Sequence, residues 1–150
     1  MVAALVRSTF LVSAVYAKSA REYGITSQQG QLLCVLMAQP YGMSELGAML
    51  GLAKSSLTGL VDRTERNGLV QRRPDPQDSR AVRIALTRKG SKVVEEFYAE
   101  TCRRIGDLTT GLAGADRETL AGLLGRVVRD NKVPMVFLES GGGAGLEREH

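Results

Sequence analysis

The chain has 150 residues and a net charge of +4, with 43% apolar and 5% aromatic residues and no tryptophan. A chain of this length and composition folds as one domain with a buried core, and its few aromatic rings argue against a stacking platform for single-stranded nucleic acid. The one histidine is the last residue, and Cys34 and Cys102 show no CxxC spacing, so we predict neither a metal site nor a cofactor. Two isolated cysteines are typical of a reducing cytoplasm, where we expect the protein to act.

The first segment, Val2–Glu22, is predicted to form one helix that is apolar on more than one face. Residues 1–17 resemble a signal peptide, but no basic residue precedes the apolar run and Arg7 interrupts it. The run is also too short and too polar to span a bilayer. We therefore expect a helix packed against two protein surfaces and no membrane association.

A second helix is predicted after Gly24, where Thr26 and Gln29 form a capping-box pattern. Its buried stripe consists of three leucines, Leu32, Leu33 and Leu36. The Gln-Pro-Tyr-Gly sequence at residues 39–42 indicates a break between helices.

Two short helices follow, joined by residues 51–53. The first carries Leu46, Met49 and Leu50 at helical spacing, and the second runs over residues 54–67 before Gly68 ends it. Two helices joined by a short turn that contains glycine predict a helix-turn-helix.

After Gly68 the spacing of the apolar residues changes from the helical period of about 3.6 residues to the strand period of about 2 residues. Residues 69–73 form one candidate strand, and residues 82–87 alternate between apolar and polar in a second. The polar segment 74–79 between them carries two prolines, which predicts the turn of a β-hairpin.

The C-terminal part is helical again, with Thr87 as the predicted cap of a long helix. An apolar seam on that helix is expected to contribute to a dimer interface together with the first helix, and it consists of Val94, Phe97, Thr101, Ile105 and Leu108. A last helix over residues 116–129 is expected to bury five apolar side chains, Leu120, Leu123, Leu124, Val127 and Val128. Residues 136–150 are expected to form a mobile tail.

Positive charge is concentrated in the middle of the chain. Residues 43–90 contain nine Lys or Arg against five Asp or Glu, so this segment alone accounts for the whole net charge of +4. A run of charged residues usually forms only a solvent-exposed face. The concentration of all excess positive charge in one segment nevertheless favours a polyanionic partner.

The second helix of the helix-turn-helix buries Leu57, Leu60 and Val61 and leaves its hydroxyls and cations on the other faces. Short hydroxyls near the start of a helix can approach base edges, and the free N–H groups there suit phosphate. Gly59 costs about 0.5–1 kcal/mol of helix stability relative to alanine. The residue is either a neutral surface glycine or a point of close approach to a groove, and the sequence does not decide between them.

The tip of the hairpin carries Asp78 and Arg80, two residues apart. A strand-like spacing would point both side chains to one side, so the carboxylate could hold the guanidinium in one rotamer. An arginine held in this way suits a narrow, electronegative minor groove. The alternative is an exposed ion pair that contributes about 0–1 kcal/mol.

These motifs closely resemble the MarR (multiple antibiotic resistance regulator) family. The resemblance is carried by LGAMLGLAKSSLTGLVDR at 46–63, ERNGLV at 65–70 and DPQDSRAV at 75–82, followed by Leu86, Thr87 and Gly90. It implies a mainly α fold with a small β-hairpin wing, in which a winged helix-turn-helix core is flanked by N- and C-terminal dimerisation helices. The single domain would cover residues 1–135, with the winged lobe at 43–90 and dimerisation helices at 2–22 and 88–131.

The resemblance also implies the function. A homodimer would bind double-stranded DNA at a palindromic operator, with the second helix in the major groove and the wing arginine in the minor groove. The DNA-binding residues that we predict are Lys54, Ser55, Ser56, Thr58, Arg63, Asp78, Arg80 and Arg83. Two positions depart from the family pattern: Ala53 replaces a frequent capping serine, and Thr64 replaces a frequent leucine. Neither departure removes a group that faces the groove.

The leading hypothesis is a repressor whose DNA affinity is relieved by a small molecule, of a class that is often aromatic. The ligand half of this hypothesis follows from the resemblance alone. Such ligands bind between the dimer helices and the winged lobe, where Tyr16, Tyr23 and Tyr41 are possible lining residues. Because buried aromatic residues more often belong to the core, we assign no ligand-binding residue, and the choice between repressor and activator stays open.

Three other functions compete with this hypothesis. A thiol-based redox sensor of the same fold would use a reactive cysteine in the first helix, whereas Cys34 and Cys102 fall in later helices. An enzyme is not predicted, because the sequence shows no pattern of a nucleophile with its base, of metal ligands or of a phosphate-binding loop. A winged helix that binds a protein instead of DNA would show no salt-dependent affinity for DNA.

Overall fold

The computed structural model describes residues 1–133, and this part of the chain forms six helices and three strands. The elements are α1 Val2–Glu22, α2 Ser27–Leu36, β1 Tyr41–Gly42, α3 Met43–Leu50, α4 Lys54–Arg66, β2 Val70–Pro74, β3 Val82–Leu86, α5 Arg88–Asp107 and α6 Gly114–Asp130. The predicted fold class, mainly helical with a small β wing, is confirmed. The tail predicted at residues 136–150 lies outside the described residues.

Helix α2 begins where its predicted capping residue lies. Thr26 accepts a hydrogen bond from the Gln29 N–H at 3.1 Å, and the Gln29 side chain accepts one from the Thr26 N–H at 2.9 Å, which completes the capping box of α2. Before it, Gly24 adopts a positive φ of 68° and turns the chain from α1 into α2.

The wing is larger than predicted, because β1 adds a third strand. All three strands are antiparallel in the order β1-β3-β2, and Tyr41 pairs with Ile84 while Arg72 pairs with Ile84 from the other side. The segment that contains β1 was predicted to be only a break between helices. A strand of two residues has no periodicity to read, so only its pairing with a segment more than 40 residues away makes it a strand.

Phe97 lies at the centre of the core, where α5 packs against α1 and α2. Its ring is fully buried and meets the rings of Tyr16 and Tyr23 edge-on, at centroid distances of 5.4 and 6.1 Å. Gly30 of α2 faces the same ring, since a Cβ at this position would lie 2.7 Å from a ring carbon of Phe97. Two of the tyrosines considered for a ligand pocket are therefore packed against the core phenylalanine.

The seam of α5 was expected at a dimer interface, and that expectation is wrong for its first half. Val94, Phe97 and Thr101 are buried inside this chain, whereas Ile105 is half-buried and Leu108 is exposed. Because α1 and α2 of the same chain cover the buried half, that half cannot pair with a second copy.

The apolar residues of α6 were expected to lie inside, and in the single chain all five are exposed. The side chain of Leu123, for example, keeps 53% of its accessible surface. The first half of α1 is likewise uncovered, with Phe10 71% exposed. These are two extended apolar surfaces that the described part of one chain leaves open.

Among the described helices, α1 is long and apolar enough to cross a membrane by length and composition alone. This finding differs from the expectation that its apolar run is too short. The same length and composition also suit a helix that packs against another protein surface, because its C-terminal end at Tyr16, Ser19 and Ala20 is buried against the core.

A close junction holds the wing on α5. The hydroxyl of Thr87 caps α5 by accepting from the Gly90 N–H at 2.9 Å, and it donates to the Gly68 carbonyl at 2.6 Å. The backbone of Gly90 lies against Leu69, so close that a Cβ at residue 90 would be 1.9 Å from the Leu69 carbonyl oxygen. Only glycine fits at this point without movement of the backbone.

Candidate nucleic-acid interface

The helix-turn-helix consists of α3 and α4, joined at Gly51. Gly51 ends α3 in the left-handed region with φ of 65°, and the Leu52 N–H then donates to the Gly47 carbonyl at 3.0 Å. One side of α4 is buried on the core, and its members are Leu57, Leu60, Val61 and Thr64. The Thr64 hydroxyl donates to the Leu60 carbonyl at 2.7 Å, so the departure from leucine at this position leaves no unpaired polar group.

The opposite side of α4 carries the predicted groove-facing groups. Lys54, Ser55, Ser56 and Arg63 are exposed, and Thr58 is half-buried with its hydroxyl bonded to the Lys54 carbonyl at 2.8 Å. Ala53 is the N-cap and provides no side-chain acceptor, so the first N–H groups of α4 have no cap. A helix end in this state suits an anion, because the unpaired donors and the helix dipole both favour negative charge.

At the tip of the wing the structure corrects one prediction. Asp78 does not pair with the guanidinium of Arg80; its carboxylate accepts from the backbone N–H of Arg80 at 3.0 Å instead. The reason is that residues 78–81 form a tight turn, closed by a bond from the Ala81 N–H to the Asp78 carbonyl at 2.9 Å, and not a strand. The guanidinium of Arg80 is exposed and makes no ion pair with another described residue.

Arg83 lies near the turn of the wing, opposite Arg73 in the hairpin, and its side chain is held within the protein. Its Nε donates to Asp75 at 2.6 Å, and its Nη1 donates to the Pro40 carbonyl at 3.3 Å, so the side chain joins the wing to the loop before α3. The Gln77 N–H and the Arg83 guanidinium together lower the pKa of Asp75. The carboxylate is therefore charged at neutral pH and keeps Arg83 in place.

A second internal arginine, Arg72, was not singled out from the sequence. Its Nη2 donates to Asp62 at 2.6 Å and its Nη1 to Glu65, both on α4, while its own N–H donates to Glu65 at 3.1 Å. These bonds fasten strand β2 to α4, so the wing and the helix keep a fixed relation. The sequence did contain a signal for this role, since Asp62 and Glu65 are three residues apart and share one face of α4.

Cys34 does not have the environment of a redox-sensing thiol. Burial raises the pKa of the Cys34 thiol to about 12, and its hydrogen bond with Tyr16 offsets this only in part. A thiol in this state is almost entirely protonated at neutral pH. No group of three or more metal-ligating side chains was found among residues 1–133.

Comparison with known proteins gives the family. The model of the MarR family matches residues 23–81, which run from the end of α1 to the tip of the wing. An uncharacterised HTH-type transcriptional regulator of Bacillus subtilis, YkoM, is 30% identical over 108 residues, which cover 71% of this chain and 70% of YkoM. The chain belongs to the MarR family. Its relatives in this family are transcriptional regulators.

Solved structures of MarR-like regulators have the same fold. CouR of Rhodococcus jostii RHA1, determined with p-coumaroyl-CoA bound, is 25% identical and has a TM-score of 0.72, with 86% of this chain and 92% of CouR covered. MepR of Staphylococcus aureus, determined in complex with DNA, is 23% identical and has a TM-score of 0.73, with 87% of this chain and 98% of MepR covered. At this identity the likeness to MepR supports the fold alone.

Proposed function

We propose that this MarR-family regulator is a cytoplasmic homodimer that binds a palindromic operator and acts as a repressor. The observation that carries the proposal is the layout of α4. One side is buried on the core, while the other presents hydroxyls and Lys54 at the uncapped start of the helix and an exposed Arg63 in its last turn. A helix of this kind, held beside a wing with an exposed arginine, has the groups that reading and binding duplex DNA require.

The two parts of this surface would do different work. Ser55, Ser56 and Thr58 are small and lie near the start of α4, where side chains of a recognition helix approach base edges. Arg80 lies at the wing tip with its guanidinium exposed, which suits the minor groove, and Lys54 and Arg63 suit phosphate or groove contacts. Asp78 would act on Arg80 through the backbone of the turn.

We assign Arg83 a different role from the DNA contact expected from the sequence. Its bonds to Asp75 and Pro40 occupy the guanidinium inside the protein. Arg83 would therefore position the wing, in the same way that Arg72 positions it on α4 through Asp62 and Glu65.

The homodimer is supported by the uncovered apolar surfaces. Phe10 and its neighbours on α1, together with the five exposed apolar residues of α6, come from the two ends of the described chain. A second copy that interlocks its terminal helices with these would remove both surfaces from water, and obligate dimer interfaces are apolar in this way. The two winged lobes would then be related by a twofold axis, which matches a palindromic site.

Relief by a small molecule is proposed on the family resemblance and on CouR, which was determined with an aromatic thioester bound. We assign no ligand-binding residue. The redox alternative is disfavoured by the burial of Cys34. The protein-binding alternative is disfavoured by Lys54, Arg63 and Arg80, which are exposed and form no ion pair within residues 1–133.

The division between helix and wing is tested with two variants on specific and random duplexes. Arg80→Ala should weaken binding to all duplexes and lower the salt slope by about 0.9 for one lost phosphate contact. Thr58→Ala should reduce the preference for the specific site and leave binding to random DNA nearly unchanged. Arg103→Ala, on α5 and paired within that helix, serves as the control for a lost charge. If both variants lose affinity equally on the two kinds of DNA, the division is wrong.

A further inference from the structure

An open cleft lies between the C-terminal end of α1, the start of α2 and the last turns of α4. Its volume is about 680 Å³, which lies within the range of about 300–1,000 Å³ that is usual for ligand-binding clefts. Three arginines line it, Arg21 from α1 and Arg63 and Arg66 from α4. The dimerisation helix and the recognition helix therefore contribute to one surface.

The charge of this cleft is uncompensated. No Asp or Glu lines it, and Arg21, Arg63 and Arg66 form no ion pair with another described residue. All three side chains are exposed, and Arg66 donates only to the backbone carbonyl of Asp62, at 3.3 Å. By contrast, Arg83 in the wing and Arg103 and Arg104 on α5 each have a carboxylate partner.

Two features favour a DNA backbone over a small molecule as the occupant. Pockets for small molecules enclose their ligand and are mostly apolar, whereas this cleft is open and its side chains with formal charge are all cationic. Arg63 and Arg66 also lie on the helix that would enter the major groove, three residues or about 4.5 Å of helix rise apart. A duplex held by α4 would bring its flanking phosphates towards the same arginines.

We propose that this cleft binds phosphate groups of the DNA backbone beside the groove that α4 enters, with Arg21 as a contact from outside the winged lobe. The proposal rests on the proposed function, because it needs a duplex on α4. It adds a third region of DNA contact to the recognition helix and the wing tip. Since phosphates carry no sequence information, the cleft would contribute affinity and register and no base preference.

The test is the salt dependence of DNA binding by Arg21→Gln. For one lost phosphate contact, the slope of log affinity against log salt should fall by about 0.9, so the affinity gap to the unmodified protein should shrink about 3-fold between 50 and 200 mM salt. The loss at low salt should be equal on specific and random duplexes. Arg21→Lys keeps the charge and should keep the slope, and Arg103→Gln removes a charge elsewhere and should leave the slope unchanged.

A slope for Arg21→Gln equal to that of the unmodified protein overturns this proposal, as does an equal fall in slope for Arg103→Gln. In either case a steep slope for the unmodified protein leaves the proposed function standing. If the unmodified protein itself shows no salt-dependent affinity, the proposed function fails first. Thermal unfolding of each variant verifies that it is folded, which we expect because Arg21 is exposed.

Discussion

Gly90→Ala is expected to destabilise the protein at the junction between the wing and α5. An added Cβ would lie 1.9 Å from the Leu69 carbonyl oxygen and 2.8 Å from the carbonyl carbon. Ordinary contacts of this kind begin near 3.0 Å, so the backbone has to move apart by about 1 Å, and both contacts are with backbone that cannot rotate away. Overpacking of a rigid site costs about 1–3 kcal/mol or more, which outweighs the gain of up to about 1 kcal/mol from replacing glycine in a helix.

The same helix offers a matched control. Gly106 also lies in α5, and a Cβ there would meet nothing within 4 Å. Gly106→Ala should therefore stabilise the protein by up to about 1 kcal/mol, whereas Gly90→Ala should destabilise it. The assay is urea unfolding of both variants at one protein concentration, because the stability of a dimer depends on concentration. Equal free energies of unfolding for the two variants, or a gain for Gly90→Ala, would refute the steric reasoning.

The backbone movement that Gly90→Ala causes should also affect the proposed DNA-binding surface. Thr87 and Leu69 join the wing to α5 through the bonds that Gly90 permits, so a shift there moves the wing relative to α4. We expect Gly90→Ala to weaken DNA binding even under conditions where the variant is fully folded. Gly106→Ala should bind DNA like the unmodified protein.

Three further predictions concern the wing, the cysteines and the dimer. Because the folded pKa of Asp75 lies below its unfolded value of about 3.9, its bond to Arg83 stabilises the wing above that pH and is lost as the pH falls through the folded pKa. The protection of the wing amides, taken as the intrinsic exchange rate at each pH divided by the observed rate, should therefore fall in acid, and Asp75→Asn should remove this fall; protection that stays constant across the range would contradict the prediction. Cys34, with a pKa of about 12, should resist alkylation at pH 7, and DNA binding should survive peroxide; loss of binding that a reductant restores would revive the redox alternative. Phe10→Glu puts a charge on the exposed apolar face of α1 and should lower the dimer fraction in light scattering, whereas an unchanged mass would exclude this face from the interface.

Local signals predicted the helices well because their ends are determined by nearby residues. Thr26, Gln29 and Thr87 act as caps within three residues of themselves, so the sequence around each contains the whole interaction. The left-handed glycines at 24, 51 and 68 likewise lie at the breaks that the pattern predicts.

Features that depend on distant residues were missed. β1 exists only because Tyr41 pairs with Ile84, and the Arg83 side chain is fixed by Pro40, which is 43 residues away. Periodicity shows that a face of α6 is apolar but not what covers it, which explains why its leucines were placed inside. The prediction of an ion pair between Asp78 and Arg80 was wrong for another reason. It assumed the spacing of a strand for residues that form a turn.

The central claim is a dimer that recognises a DNA sequence, and selection of bound sites from a random duplex pool tests it most directly. The selection is followed by measurement of the number of chains per duplex and of affinity across a salt series. We predict an inverted repeat with half-sites about 10 bp apart, two chains bound per site and affinity that falls steeply as salt rises. Recovery of no motif, together with weak binding that does not depend on salt, would contradict the claim and assign the winged helix to a protein partner.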